Sequence, residues 1–139
     1  MMNDNPLDQL FDMAREAATK AYAPYSQFSV GAAIRTASGN ILSGSNVENA
    51  SYPLGSCAEA SAISAMIGLG EREIADIAVF ALQKSPCYPC GGCRQRIAEF
   101  ATSRTRIHVI DETGAIRSHT IGDLLPHAFE PHEQHKERR

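Results

Sequence analysis

Two short stretches of the chain hold residues able to do chemistry together. Ser56-Cys57-Ala58-Glu59 comes first, and Tyr88-Pro89-Cys90-Gly91-Gly92-Cys93 follows about thirty residues later. The compound pattern is Cys-x-Glu, then Pro-Cys-x-x-Cys. Thiolates from Cys57, Cys90 and Cys93 can hold one zinc ion and leave its fourth position open, as catalytic sites do. Glu59, two residues after the first of them, can then move protons to and from an activated water. A lone Cys-x-x-Cys would be weak evidence. The added Cys-x-Glu and proline make the signal specific.

Other readings of these residues stay open at this point. The chain has four cysteines, so Cys87 could close a four-thiolate structural zinc site in a non-enzymatic binding module, or one pair could be redox-active. The register is also ambiguous, because Pro86-Cys87-Tyr88-Pro89-Cys90 fits Pro-Cys-x-x-Cys as well. Two physical grounds favour the later register. Gly91-Gly92 lets the backbone turn tightly between ligands. Cys93 then falls in the first turn of a helix, where the dipole favours a thiolate. Glu59 has a plainer explanation too, since Ser56-x-x-Glu59 has the form of a capping box. Beside three cysteines, proton transfer is the preferred reading.

The elements that must position these residues can be read from periodicity. From Pro6 to about Tyr22, Leu7, Leu10, Phe11, Ala14, Ala17, Ala18 and Ala21 recur at helical spacing, with Pro6 at the start and Pro24 as a stop. Alternation predicts a strand over 27–36, Ser38-Gly39-Asn40 a turn, and Ile41-Leu42 a returning strand. Asn46-Val47-Glu48-Asn49 closes that strand, and alone it reads as a solvated loop. A second helix is predicted from Ser56 to Leu69, ended by Gly70. Residues 74–83 are apolar on both faces, as in a strand covered by helices. A third helix spans about Cys93 to Ala101, a strand 106–110, an edge strand Ile116–Thr120, and a helical turn Gly122–Pro126. A strand–helix–strand unit over 74–110 implies a parallel pair. Added to the leading hairpin, it predicts a mixed sheet in a three-layer α/β/α domain.

Composition bounds the function. The chain has 139 residues, 43% apolar and 21% charged, which suits one globular domain over 1–131 and a charged, disordered tail over 132–139. A net charge of −3 and a pI near 5.9 argue against a nucleic-acid polymer as partner. No apolar run approaches the ~20 residues needed to cross a bilayer, and no signal-peptide layout is present, so a cytoplasmic protein is expected. There, clustered cysteines point to metal before disulfides. His108 alternates within a strand and reads as structural. His132 and His135 have ligand spacing but sit in the tail. Arg94, Arg96, Arg104 and Arg106 read as a helix face and a strand flank, with Arg94 the candidate to offset thiolate charge.

The chain resembles the cytidine deaminase family of the small homotetrameric type, whose zinc motif has this form. The resemblance runs from about residue 22 to 131. It rests on Phe28-Ser29-Val30-Gly31-Ala32-Ala33, Asn46-Val47-Glu48-Asn49-Ala50-Ser51-Tyr52-Pro53, Cys57-Ala58-Glu59, Pro89-Cys90-Gly91-Gly92-Cys93-Arg94-Gln95 and Leu124-Leu125-Pro126-His127-Ala128-Phe129. It implies a five-stranded mixed sheet, one Zn2+ per subunit on Cys57, Cys90 and Cys93, and Glu59 as the proton shuttle. It implies that the Ala58 N–H binds the base O2, that Asn46 and Glu48 hold the ribose 3′-hydroxyl, and that Phe28 meets the pyrimidine. Tyr52 and Phe129 would reach a neighbouring subunit's site. The implied substrate is a free pyrimidine nucleoside, cytidine or deoxycytidine, in pyrimidine salvage. Two positions depart from many relatives: Ala60 stands where an Arg often follows the glutamate, and Tyr88 where Ser or Thr precedes the Pro-Cys. Blasticidin-type deaminases share the zinc motif, so a blasticidin or modified-cytidine substrate is the alternative.

Overall fold

Asn5 accepts a hydrogen bond from the backbone N–H of Leu7 at 3.0 Å and Pro6 fills the first turn, so α1 (Pro6–Thr19) starts at a proper cap. The computed structural model describes residues 5–130. The expected tail at 132–139 and the His132/His135 pair lie outside the described residues. The further elements are β1 (Val30–Thr36), β2 (Ile41–Ser45), α2 (Ala58–Gly68), β3 (Ile74–Ala81), α3 (Gly91–Glu99), β4 (Arg106–Ile110), β5 (Ile116–His119) and α4 (Ile121–Leu124).

The sheet order is β2-β1-β3-β4-β5. β1 runs antiparallel to β2 and β3, β3 and β4 are parallel, and β5 pairs antiparallel with β4. This is the expected mixed five-stranded sheet, including the edge strand. One face buries Leu10, Phe11 and Ala14 of α1 against Ala33 and Ala78. The other buries Ala58, Ala62, Ile63 and Met66 of α2 and Ile97 of α3 against Ile34, Ile77, Val79 and Ile107. The residue alternation of strands makes both faces apolar at once. No helix among the described residues is long and apolar enough to cross a membrane.

Two glycines set how closely the helices approach. A Cβ on Gly31 would lie 1.9 Å from the Ala14 carbonyl oxygen, and one on Gly44 would lie 2.4 Å from the Ala62 nitrogen. Gly31 therefore seats α1, and Gly44 seats α2 on the opposite face.

Several boundaries differ from the periodicity. The first helix ends at Thr19, short of Tyr22, because Tyr22 pairs with the segment after β2: its N–H donates to Asn46 O, and Glu48 N–H donates to Tyr22 O. The strand expected from residue 27 starts at Val30, because Gln27 takes a left-handed conformation (φ 57°) that breaks the extended run. The second helix starts at Ala58 instead of Ser56, and the third at Gly91 instead of Cys93. In both cases a cysteine takes the cap position.

His108 is a structural residue, as read from the strand. It is 3% exposed, and its Nε2 lies 2.7 Å from Asp76 Oδ1 and its Nδ1 2.7 Å from Ser118 Oγ. These bonds tie β3, β4 and β5 together across the sheet.

Candidate metal and catalytic site

Cys57 is the N-cap of α2, Cys90 is the N-cap of α3, and Cys93 is the third residue of α3. The two helix starts thus bring residues from distant parts of the chain to one place. The three Sγ atoms lie within 4.8 Å of one another, and among the described residues this is the group fitted to hold a metal ion. Tetrahedral thiolates on zinc at about 2.3 Å stand about 3.8 Å apart, a separation that falls within this limit. Soft sulfur donors also suit zinc. Both helices point their N-terminal N–H groups this way, which favours the negative charge of thiolates.

Cys87 lies outside the group, which answers the question of register. It packs against the core cluster, and burial pushes its thiol up to about 11. It is a half-buried cysteine packed beside the core, apart from the three-sulfur group. Burial also raises the Cys57 and Cys93 thiols, while the backbone N–H of Cys93 holds Cys90 down.

The glycines of Pro89-Cys90-Gly91-Gly92-Cys93 have a different purpose from the one expected. Neither has a left-handed φ, since both belong to the first turn of α3. A Cβ on Gly91 would meet open space, whereas one on Gly92 would lie 3.3 Å from Arg96 Nη1. Gly92 makes room for a guanidinium.

Glu59 is the second residue of α2 and 4% exposed. The capping box read from the sequence does not form. Cys57 is the N-cap, so Glu59 is one residue short of the position a box requires. Ser56 Oγ instead meets the Cys57 carbonyl at 3.4 Å and Ser61 Oγ at 3.2 Å. A buried carboxylate without a capping role calls for another reason. Burial pushes its carboxyl up, partly offset by its own backbone N–H and the positive charge of Arg96. A carboxyl raised by burial holds a proton more readily than a free one, which suits a group that must take a proton and pass it on.

The arginine expected near the thiolates is not the one found there. Arg94 Nε donates to the Pro89 carbonyl at 2.8 Å, and its Nη1 to the Leu124 carbonyl at 2.9 Å. It ties the thiolate loop to the C-terminal segment. Arg96 makes the sulfur contact instead, with Nη1 3.6 Å from Cys93 Sγ. Helical spacing carried that signal, since residues three apart share a face.

Residues 46–48 reach the site through a short backbone pairing. Val47 N–H donates to Ser56 O at 2.9 Å and Ser56 N–H to Val47 O at 2.8 Å, directly before Cys57. Asn46 spans to β1: its Oδ1 accepts from Val30 N–H and its Nδ2 donates to Phe28 O, both at 2.9 Å. One amide hydrogen remains for a ligand. Glu48 accepts from the N–H groups of Tyr25 at 3.0 Å and Ser26 at 3.1 Å, and also from Ser26 Oγ. These bonds hold its carboxyl below its ordinary range, the Ser26 hydroxyl first. Phe28 is half-buried and follows the left-handed Gln27. A cleft of about 300 Å³ opens beside them, lined by Tyr25, Ser26, Glu48, Asn49, Tyr52 and Gly55. The roles of Tyr25, Ser26 and Gln27 carried no motif in the sequence.

Tyr52 and Phe129 stand out into solvent, 74% and 83% exposed. The Tyr52 ring meets Tyr25 edge-on with centroids 5.8 Å apart. Phe129 is held by its backbone: Gln95 Nε2 donates to Phe129 O at 2.9 Å, and Phe129 N–H donates to Gln95 Oε1 at 3.0 Å. Gln95 had no role in the sequence reading beyond its place in a motif. Tyr88 points its hydroxyl to His119 Nε2 at 3.1 Å, which pins the thiolate loop to the end of β5.

Known proteins can be set against this geometry. Residues 4–109 match the family described as the cytidine and deoxycytidylate deaminase zinc-binding region. A cytidine deaminase of Halalkalibacterium halodurans is 42% identical over 120 residues, covering 86% of this chain and 91% of that one. The crystal structure of cytidine deaminase from Burkholderia pseudomallei superposes with a TM-score of 0.82 at 42% identity, covering 92% of this chain and all of that one. That from Mycobacterium tuberculosis gives 0.81 at 38% identity, with 92% and 100% covered. The thiolate cluster and the sheet that carries it thus stand in a shared sequence and a shared fold, and the chain belongs to the zinc-dependent cytidine and deoxycytidylate deaminase family.

Proposed function

We propose that this protein deaminates free cytidine and 2′-deoxycytidine hydrolytically, giving uridine or 2′-deoxyuridine and ammonia. The observation that carries the reading is the buried Glu59 two residues from Cys57 within a three-thiolate cluster. Zinc held by Cys57, Cys90 and Cys93 supplies the Lewis acidity that makes water a nucleophile near neutral pH. Glu59 takes a proton from the attacking water and passes it to the pyrimidine N3, which makes C4 electrophilic. Water oxygen bonds to C4. Glu59 then takes the proton of the new C4 hydroxyl and delivers it to the amino group; the C4–N bond breaks as the C4 carbonyl forms, ammonia leaves, and N3 keeps its proton. One carboxyl serves as base and acid in turn, which its burial suits.

The remaining residues orient the nucleoside. The N–H of Ala58, at the first turn of α2, receives the base O2. Phe28 lies against the ring, and Asn46 and Glu48 hold the ribose 3′-hydroxyl. The bonds from Asn46 to β1 and from Glu48 to Tyr25 and Ser26 support this reading, because they pre-set both side chains before a sugar arrives. Tyr52 and Phe129, large and exposed, reach the site of a neighbouring copy in a homotetramer. Salvage of free pyrimidine nucleosides in the cytoplasm is the setting that fits, and residues 1–131 form the working domain.

The test is ammonia release from cytidine, deoxycytidine, cytosine and blasticidin S. Cytidine and deoxycytidine should turn over, and cytosine should be very poor, because ribose-binding groups left without their hydroxyl are penalised. Turnover of blasticidin S alone would overturn the nucleoside assignment.

A further inference from the structure

We propose that Arg96 is a positioning residue of the metal site, holding the Cys93 thiolate and supplying countercharge to the thiolate cluster. The inference rests on the zinc reading above. Three thiolates around a divalent cation leave a net charge of −1, and buried charge without a partner is unfavourable. Arg96 Nη1 lies 3.6 Å from the sulfur of Cys93, which is fully buried. A guanidinium is the side chain suited to this task, because it stays charged and offers several fixed donors.

Two further features show that the contact is built into the fold. Arg96 sits three residues after Cys93 on α3, so its side chain lies back over the first turn that carries the ligands. Gly92, between Cys90 and Cys93, leaves the space that the guanidinium occupies. The neighbouring cation, Arg94, is committed to the carbonyls of Pro89 and Leu124. Position 60, directly after Glu59, is an alanine and brings no charge from α2. The consecutive residues Arg94, Gln95 and Arg96 therefore divide three tasks: the thiolate loop, the Phe129 segment and the Cys93 sulfur.

The experiment is zinc transfer from the holoenzyme to the chromogenic chelator 4-(2-pyridylazo)resorcinol, followed by absorbance. Arg96→Gln should lose zinc about 10- to 100-fold faster than wild type, the range for groups that orient a ligand. Arg96→Lys, which keeps charge but not the forked geometry, should fall between. Gly92→Ala, which crowds the guanidinium without removing it, should also speed release. Thermal unfolding of the metal-free forms separates support of the site from support of the helix. The metal-free Arg96→Gln and wild-type proteins should melt alike. Release from Arg96→Gln at the wild-type rate would overturn the proposal while leaving the zinc reading intact. Equal destabilisation of the metal-free and zinc-bound forms would also overturn it, as an ordinary packing role. A wild-type protein that binds no zinc would remove both.

Discussion

Gly44→Ala should disturb the chemistry from beneath, without touching a site residue. The added Cβ would lie 2.4 Å from the Ala62 nitrogen and 2.8 Å from both the carbonyl carbon and the Cβ of Ser61. These are backbone atoms and the root of a side chain, so no flexible tip can swing aside. Ordinary contact begins near 3.4 Å, so α2 must lift by about 1 Å at its second turn. Overpacking of this kind costs about 1–3 kcal/mol. At roughly 2 cal/mol/K per residue of unfolding entropy, that lowers the Tm by about 3–10 °C. The displaced turn directly follows Cys57 and Glu59, and a misplacement of about 1 Å at a reacting group can cost ~10²-fold in rate. The assay is cytidine deamination with zinc content and Tm measured on the same preparation. Gly68→Ala is the control. Its Cβ would meet nothing within 4 Å at the end of the same helix, and it should be neutral or slightly stabilising. A Gly44→Ala protein with wild-type Tm and full activity would refute the claim that this close approach sets the site.

Gln95→Ala breaks both backbone bonds to Phe129, at about 0.5–1.5 kcal/mol each. If Phe129 serves substrate binding, KM should rise several-fold to ~10²-fold, with kcat changed much less. An unchanged KM would separate Phe129 from the site. Asp76 gives a pH prediction. Burial pushes its carboxyl up, but the bonds from His108 and then Arg35 outweigh this, so it is held below its ordinary value of 3.8. A carboxyl depressed on folding stabilises above that value and loses the contribution as pH falls through the folded one. Asp76→Asn should therefore be less stable than wild type at neutral pH, and the difference should shrink below about pH 4. Parallel denaturant midpoints from pH 7 to pH 3 would contradict this.

Much of the fold was legible because its signals are local. Seven apolar positions marked α1, and five of them are buried. The both-sided apolar run at 74–83 locates β3, the central strand, whose Ala78 packs in the α1 cluster and whose Ile77 and Val79 pack in the cluster shared by α2 and α3. The parallel pairing of β3 with β4 followed from the helix between them. Helix starts were harder to read. Ser56 looked like a cap by residue type, but Cys57 and Cys90 take the cap positions, so that metal-ligand geometry overrides capping preference. The glycine pair suggests a turn because conformational freedom is the property visible in sequence. Room for a neighbour's side chain, the role found at Gly92, depends on where Arg96 lies in space. The same limit explains Arg94 and Arg96. Both are on one helix near the thiolates, and only the carbonyls of Pro89 and Leu124 decide which is drawn away. Periodicity alone reads Asn46 and Glu48 as a solvated loop, because the pairing of Val47 with Ser56 joins segments that no periodicity connects.

The central claim is that Glu59 moves the protons at a zinc site made by Cys57, Cys90 and Cys93. Glu59→Gln tests it most directly. Glutamine keeps the shape and an oxygen that can still accept from the residue's own backbone N–H in the first turn of α2, and it cannot carry the proton. Zinc per subunit and cytidine turnover should be measured on one preparation. The account predicts a full zinc complement and activity reduced by at least ~10²-fold. Turnover within tenfold of wild type in the zinc-loaded variant would contradict it.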